Sequence, residues 1–371
     1  MYHAAVFLTA LTLSAAPGVP CAPIASRPVD IAICLDTSNS MDGLIDSAKE
    51  KLWAIVNEMA KARPTPDLRV GLISYGNDGY DSSGGWVRLE SELTSNLDFL
   101  SQRLFGLTTL GGTEYVGRAL LRANQLDWSQ RKDALRMIIV AGNESADQDH
   151  EITASTMSRD LRLRGIFVDA IYCGSAEDAI SPTWRSLAAC GGGEFASIDQ
   201  NDGTVVVRTP YDSELNQLSR KLSNTFVPLG HKGARAKRMQ SDQDTEVRDM
   251  SPTAGAGRAA AKASKLYRWE ADLVDATERG EMTVAEVPEA SLPSELQGMT
   301  KDERQLYIDS KVKERKDLRE QIEELSQRRD EHVAQEMKAQ NLSESAALDS
   351  AIRKSIRDKA RGAGFAFDDE S

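Results

Sequence analysis

The stretch "IAICLDTSNSM", Ile31 to Met41, ends an apolar run at Leu35 and then sets Asp36, Ser38 and Ser40 at alternate positions. Two physical readings fit it. Asp and Ser favour turns where strands end, because their side chains bond the local backbone. Equally, a carboxylate and two hydroxyls on a tight loop are the oxygen ligands that a hard divalent cation takes. The stretch alone leaves both open, and the residues around it have to decide.

Working outward, "VDIAICL" (Val29 to Leu35) is apolar almost throughout and rich in Val and Ile, the pattern of a strand buried on both faces. After it, Ile45, Ala48, Leu52, Ile55, Met59 and Ala62 recur at helical spacing. "LRVGLISYG" and "WVRLESEL" read as strands flanking the turn-rich "NDGYDSSGG", a hairpin. Helical patterns follow from Leu97 and again after Thr113. Then come the buried strand "LRMIIVAG", a helix from about Ile152, the strand "GIFVDAIY", a helix near Ser181, the short strand "EFASID" and the helix "SELNQLSRKLSNTF". This alternation predicts an α/β fold, a doubly wound and mostly parallel sheet with helices on both faces. Ligands in such folds gather at the carboxyl ends of the strands. Three loops meet there in the predicted topology: Asp36–Ser40, "TTLGGTEYVGRALL" with Thr113 at the expected helix cap, and "AGNESADQD" after Val140.

Asp-x-Ser-x-Ser after the first strand, Gly-Gly-Thr before a helix and a third loop after the next central strand resemble the von Willebrand factor A domain. The resemblance covers about Pro28 to Leu229. It implies a Rossmann-like sheet and a metal ion-dependent adhesion site, with Asp36, Ser38, Ser40 and Thr113 as ligands of Mg2+ or Mn2+, and Ca2+ as a further candidate. One position departs from the family. Where Thr-Asp-Gly is usual, this chain has Ala141, Gly142 and Asn143, so the expected carboxylate falls on Gly142. Asn143 or Glu144 is then the candidate third-loop ligand, with Asp147 more distant. The site is expected to be weak, and an Asp placed at Gly142 to strengthen it provided that its side chain fits and the backbone there does not require positive φ. "VAGNE", "SYGND", "YCG", "KASKLYRWEADLVDA" and "LPSEL" further resemble bacterial members of the family that carry a C-terminal extension.

The 371-residue chain is long enough for one sizeable domain and a smaller region, and its net charge of -12 opposes binding to nucleic acid. Residues 1–25 resemble a secretory signal, with an apolar core from Ala4 to Ala16 too short to span a bilayer, although Lys and Arg are missing before it. A periplasmic or secreted location follows as the expectation. Pro20 and Gly18 argue against Cys21 as a lipidated cysteine. Without a CxxC pair a zinc site is unsupported. Cys34 reads as a small buried hydrophobe, and Cys173 and Cys190, both near strand ends, are expected to pair in an oxidising compartment.

Beyond residues 28–229, the expected A domain, the texture changes. Residues 230–261 are rich in Gly, Ala, Ser, Gln and charge, which predicts an exposed linker open to early proteolysis. Residues 262–371 read as a mainly helical extension, with Leu266, Trp269 and Leu273 as packing residues. Lys301 to about Gln340 reads as one long helix or a helical hairpin with a narrow apolar seam. The seam suits docking on the main body or a contact with a partner or second copy, and Arg329 interrupts it. Phe365 and Phe367 sit on one side of a short strand or tail able to dock back.

Three function classes follow. The first is a non-enzymatic binding module in which a partner protein's Asp or Glu completes the coordination of a cation. The second is a structural or assembly protein with a vestigial site that makes its contacts through the C-terminal helices. The third, a hydrolase using Ser38 or Ser40, needs a base that only His3, His150, His231 or His332 offers, and it has no nucleophile elbow.

Overall fold

The computed structural model describes residues 26–198, 207–339 and 348–367; the signal-like segment and Cys21 lie outside them. β1 (Pro28–Asp36) is buried at every position, as its unbroken apolar run requires. It lies between β3 (Asp67–Tyr75) and β5 (Leu135–Gly142), parallel to both, with Asp36 opposite Tyr75 and Leu35 opposite Ala141. β6 (Phe167–Tyr172) and β7 (Gly192–Ser197) extend the sheet in parallel beyond β5. β4 (Val87–Thr94) returns antiparallel along β3, as the hairpin reading requires, and the order is β4-β3-β1-β5-β6-β7.

Alternate residues of β1 feed two cores, because successive side chains point to opposite faces. Val29, Ile31, Ile33 and Leu35 pack with α1 (Asp42–Ala60), α2 (Leu97–Phe105) and α6 (Asp212–Ser223). Ala32 and Cys34 pack with α3 (Val116–Asn124), α4 (Ala154–Leu163) and α5 (Ser181–Gly191). This is the mostly parallel, doubly wound α/β sheet that the sequence implies.

The two faces also explain a correction. Cys173 and Cys190 form no disulfide with each other. Cys173 belongs to the α1 face, whereas Cys190 sits on α5 across the sheet, with its Sγ 3.7 Å from an Arg159 nitrogen. Nearness to strand ends did not reveal that the chain crosses the sheet between them.

The expected linker at 230–261 is a second correction. It forms two packed helices, α7 (Gly230–Met250) and α8 (Pro252–Ala263). Ser251 caps α8 by accepting from the Ala254 N–H at 3.2 Å, with Pro252 next in line. The small residues of α8 allow close approach to α1: a Cβ on Gly257 would lie 3.5 Å from Trp53 Cβ, and the Gly257 carbonyl accepts from Asn57 at 2.9 Å. Four charges lie beside the core alanines of α8. Arg258 binds Asp98 of α2 and Asp244 of α7, both at 2.7 Å, and Lys262 binds Asp244 at 2.6 Å.

Further on, Leu266 and Trp269 are buried packing residues on an irregular segment, and Leu273 opens the short α9 (Leu273–Glu278). Arg315 and Asp272, both fully buried, pair at 2.6 Å and join α10 (Lys301–Ala339) to this segment. Of the seam residues Leu306, Leu318, Ile322, Leu325 and Val333 on α10, the central three are buried in the chain's own core, as the docking reading requires, whereas Leu306 is exposed and Val333 half-buried. Arg329, which interrupts the seam, binds Asp212 at 2.8 Å. α11 (Leu348–Gly362) covers α1, and β8 (Ala366–Phe367) pairs antiparallel with β2 (Ala62–Arg63), burying Phe365 and Phe367. Among the described residues no helix is long and apolar enough to cross a membrane.

Candidate metal centre

β1 lies where the chain switches from building toward β3 to building toward β5, so a crevice opens beyond its carboxyl end. Three loops close around this point. Thr37 donates its N–H to Tyr75 O at 2.7 Å and accepts from the Leu110 N–H at 3.0 Å, while Asn39 donates to Gly111 O at 3.1 Å. These bonds fasten the Asp36 loop to the segment that carries Thr113. The Glu114 N–H donates to Gln148 Oε1 at 3.2 Å, which ties that segment to the third loop. The third loop is held in turn by Trp184, whose indole N–H donates to Glu144 O at 2.7 Å.

Asp36 is fully buried, and its Oδ1 accepts from the Ser38 N–H at 2.8 Å. Ser38 and Ser40 hydroxyls stand 3.0 Å apart, and Ser40 donates to Asn143 Oδ1 at 3.1 Å. Asp36, Ser38, Ser40 and Asn143 are therefore one connected group. Thr113 is half-buried on the adjoining loop, but it does not cap α3, whose cap position is Tyr115. Glu144 and Asp147 are exposed on the third loop. His150, the one described histidine near these loops in sequence, is exposed as well.

The residue that sequence reasoning missed is Glu114. Its side chain is only 3% exposed and lies within hydrogen-bonding reach of both Asp36 and Ser38. Burial and then the neighbouring Asp36 push its carboxyl up to about 9. Burial likewise raises Asp36 to about 6, against the pull of the hydrogen bonds it accepts. Two buried carboxylates this close cannot both stay charged unless a cation or a shared proton lies with them. The signal was visible as the acidic residue following Thr113 in "GGTEYV".

The position of the missing third-loop carboxylate is occupied differently. Tyr75 donates its hydroxyl to Ala141 O at 2.8 Å, and a Cβ at Gly142 would lie 2.5 Å from Tyr75 Oη and 3.1 Å from a Trp184 ring carbon. The condition for an Asp at Gly142 to strengthen the site, that its side chain fit, is not met by this packing.

The donor chemistry fits a hard divalent cation. Asp36 Oδ2 is buried without a hydrogen-bond partner, beside hydroxyls and a second carboxylate, and the available ligands are all oxygens. No group of three His, Cys, Asp or Glu suited to a metal occurs among the described residues.

Residues 31–144 match the family model of the von Willebrand factor type A domain. This chain carries a von Willebrand factor type A domain. Beside it stands the C-terminal helical region described above. Among solved structures, the A domain resembles proximal thread matrix protein 1 from the mussel byssus with a zinc-occupied MIDAS motif, at 16% identity and a TM-score of 0.37, over 46% of this chain and 42% of that one. It also resembles a von Willebrand factor type A protein from Catenulispora acidiphila, at 18% identity and a TM-score of 0.38, over 48% and 40%. The SpRpn10 VWA domain matches at 15% identity and a TM-score of 0.37, over 46% and 88%. The match spans 42% of the length of the mussel protein, and among curated proteins none matches the sequence.

Proposed function

We propose that this protein is a binding module whose A domain holds Mg2+ or Mn2+ through Asp36, Ser38, Ser40 and Thr113 and engages a partner protein through that cation. The observation that carries the reading is the buried, unpartnered Asp36 Oδ2 at the carboxyl edge of the sheet, with the Ser38 and Ser40 hydroxyls beside it. Bound there, a divalent cation supplies a point of attraction for an Asp or Glu from outside, since neutral hydroxyls leave its charge incompletely balanced. The chain's own residues hold the loop shape: the Ser38 N–H fixes Asp36, and Asn143 orients the Ser40 hydroxyl. We further propose export to the periplasm or the exterior, which the signal-like residues 1–25 support. Calorimetric titration with Mn2+, paired with capture of partners from native envelopes with and without EDTA, tests the reading. Wild type is expected to bind Mn2+ and its partners to release in EDTA, with both behaviours lost in Asp36→Ala. Binding that persists unchanged in Asp36→Ala places the metal elsewhere and sinks it.

A further inference from the structure

We propose that Glu114 is a direct ligand of the cation, supplying from the second loop the carboxylate that the third loop lacks; the proposal rests on the cation reading above. Three observations on this chain lead to it. The Glu114 carboxyl reaches both Asp36 and Ser38, which places it against the oxygen set. A Cβ at Gly76 would stand 2.6 Å from Asp36 Oδ1 and 3.0 Å from Glu114 Cγ, so the two acids converge on one side of the β3 turn. Asp36 Oδ2, fully buried, has no hydrogen-bond partner, which leaves a cation or a proton shared with Glu114 to balance the pair.

Charge balance strengthens the case. The nearest basic side chain in sequence, Arg118, is committed to Asp149 at 2.7 Å and Glu151 at 2.8 Å. Its guanidinium is thus turned to the third loop's acids. A divalent ion between the acids would neutralise both with oxygen ligands alone. The third loop cannot perform this role at Gly142, because Tyr75 and Trp184 fill the space a side chain there would need. The segment bearing Glu114 is in turn fixed on both sides, by Leu110 and Gly111 to the Asp36 loop and by its own N–H to Gln148.

The test uses the full chain and Mn2+ alone. Glu114→Gln keeps the shape and removes the charge, Asp36→Ala removes the central ligand, and circular dichroism verifies the fold of each. Calorimetry is expected to show Mn2+ binding in wild type, a loss of at least tenfold in affinity in Glu114→Gln, and no binding in Asp36→Ala. Water-proton relaxation at saturating Mn2+ separates a ligand from a residue that merely positions others: Glu114→Gln should gain inner-sphere water, and Glu114→Asp should restore much of the affinity. If Glu114→Gln binds as wild type does, or binds more weakly with an unchanged water count, Glu114 is no ligand while the cation reading stands. If wild type itself shows no binding at millimolar Mn2+, both readings fall together.

Discussion

Gly142 is where a single residue changes the meaning of the site. Sequence comparison with the family marked it as a missing carboxylate, whereas the structure fills the same place with Tyr75 Oη and the Trp184 ring. Gly142→Asp should therefore force these groups apart, costing about 1–3 kcal/mol by overpacking, and should not strengthen Mn2+ binding. Urea denaturation and metal titration of that variant check both halves; a variant as stable as wild type that binds more tightly would contradict the packing. Asp36, Ser38 and Ser40 were legible because a strand end and two-residue spacing put them together locally. Glu114 and Tyr75 act across loops and strands far apart in sequence, so no local pattern announced what they face.

Among the elements, α7 and α8 depart furthest from what their sequence suggests. Segment 230–261 has few large apolar residues, and its polarity predicted a linker. Its buried positions are instead Gly233, Ala236, Gln240, Gln243 and Val247 on α7, spaced as a helix face, and five alanines and glycines of α8 together with Arg258 and Lys262. The Ser251-Pro252 cap signal was in the sequence, but burial of a charged face depends on Asp98 and Asp244 arriving from other elements. Burial alone would raise the Asp244 carboxyl, yet Lys262 and Arg258 outweigh it and hold the group below its ordinary 3.8. A carboxyl depressed in the folded state stabilises above its unfolded value and loses that contribution as pH falls through the folded one. Asp244→Asn should cost about 3–5 kcal/mol near neutral pH by leaving Lys262 without its counter-charge. Urea unfolding from neutral pH down through 3.8 should show the gap between variant and wild type narrowing in acid. A gap that stays constant or widens would deny the ion pair its role.

At the scale of the whole molecule, the alternating strands made the sheet and its strand-end crevice legible, while the way the extension wraps back was not, because docking is set by surfaces rather than by periodicity. α8 and α11 lie on α1, and α10 lies on α6 and α8, so the extension shares the core of the A domain. Trypsin should accordingly spare residues 230–263 in the first cuts despite Arg235, Lys237, Arg238 and Arg248; mass spectrometry of the earliest fragments checks this, and primary cleavage there would mean the helices are not packed. The return of the chain at β8 reaches further than stability. Arg27 donates to the carbonyls of Ala363 and Gly364 at 2.8 Å each, and Arg357 binds Glu58 across 299 residues of sequence. A ribosome adding roughly 5–20 residues per second delivers that covering helix on the order of 15–60 s after α1 has been made. Until then the side of α1 that α11 covers is a nascent surface without its native cover, open to chaperones that bind such surfaces.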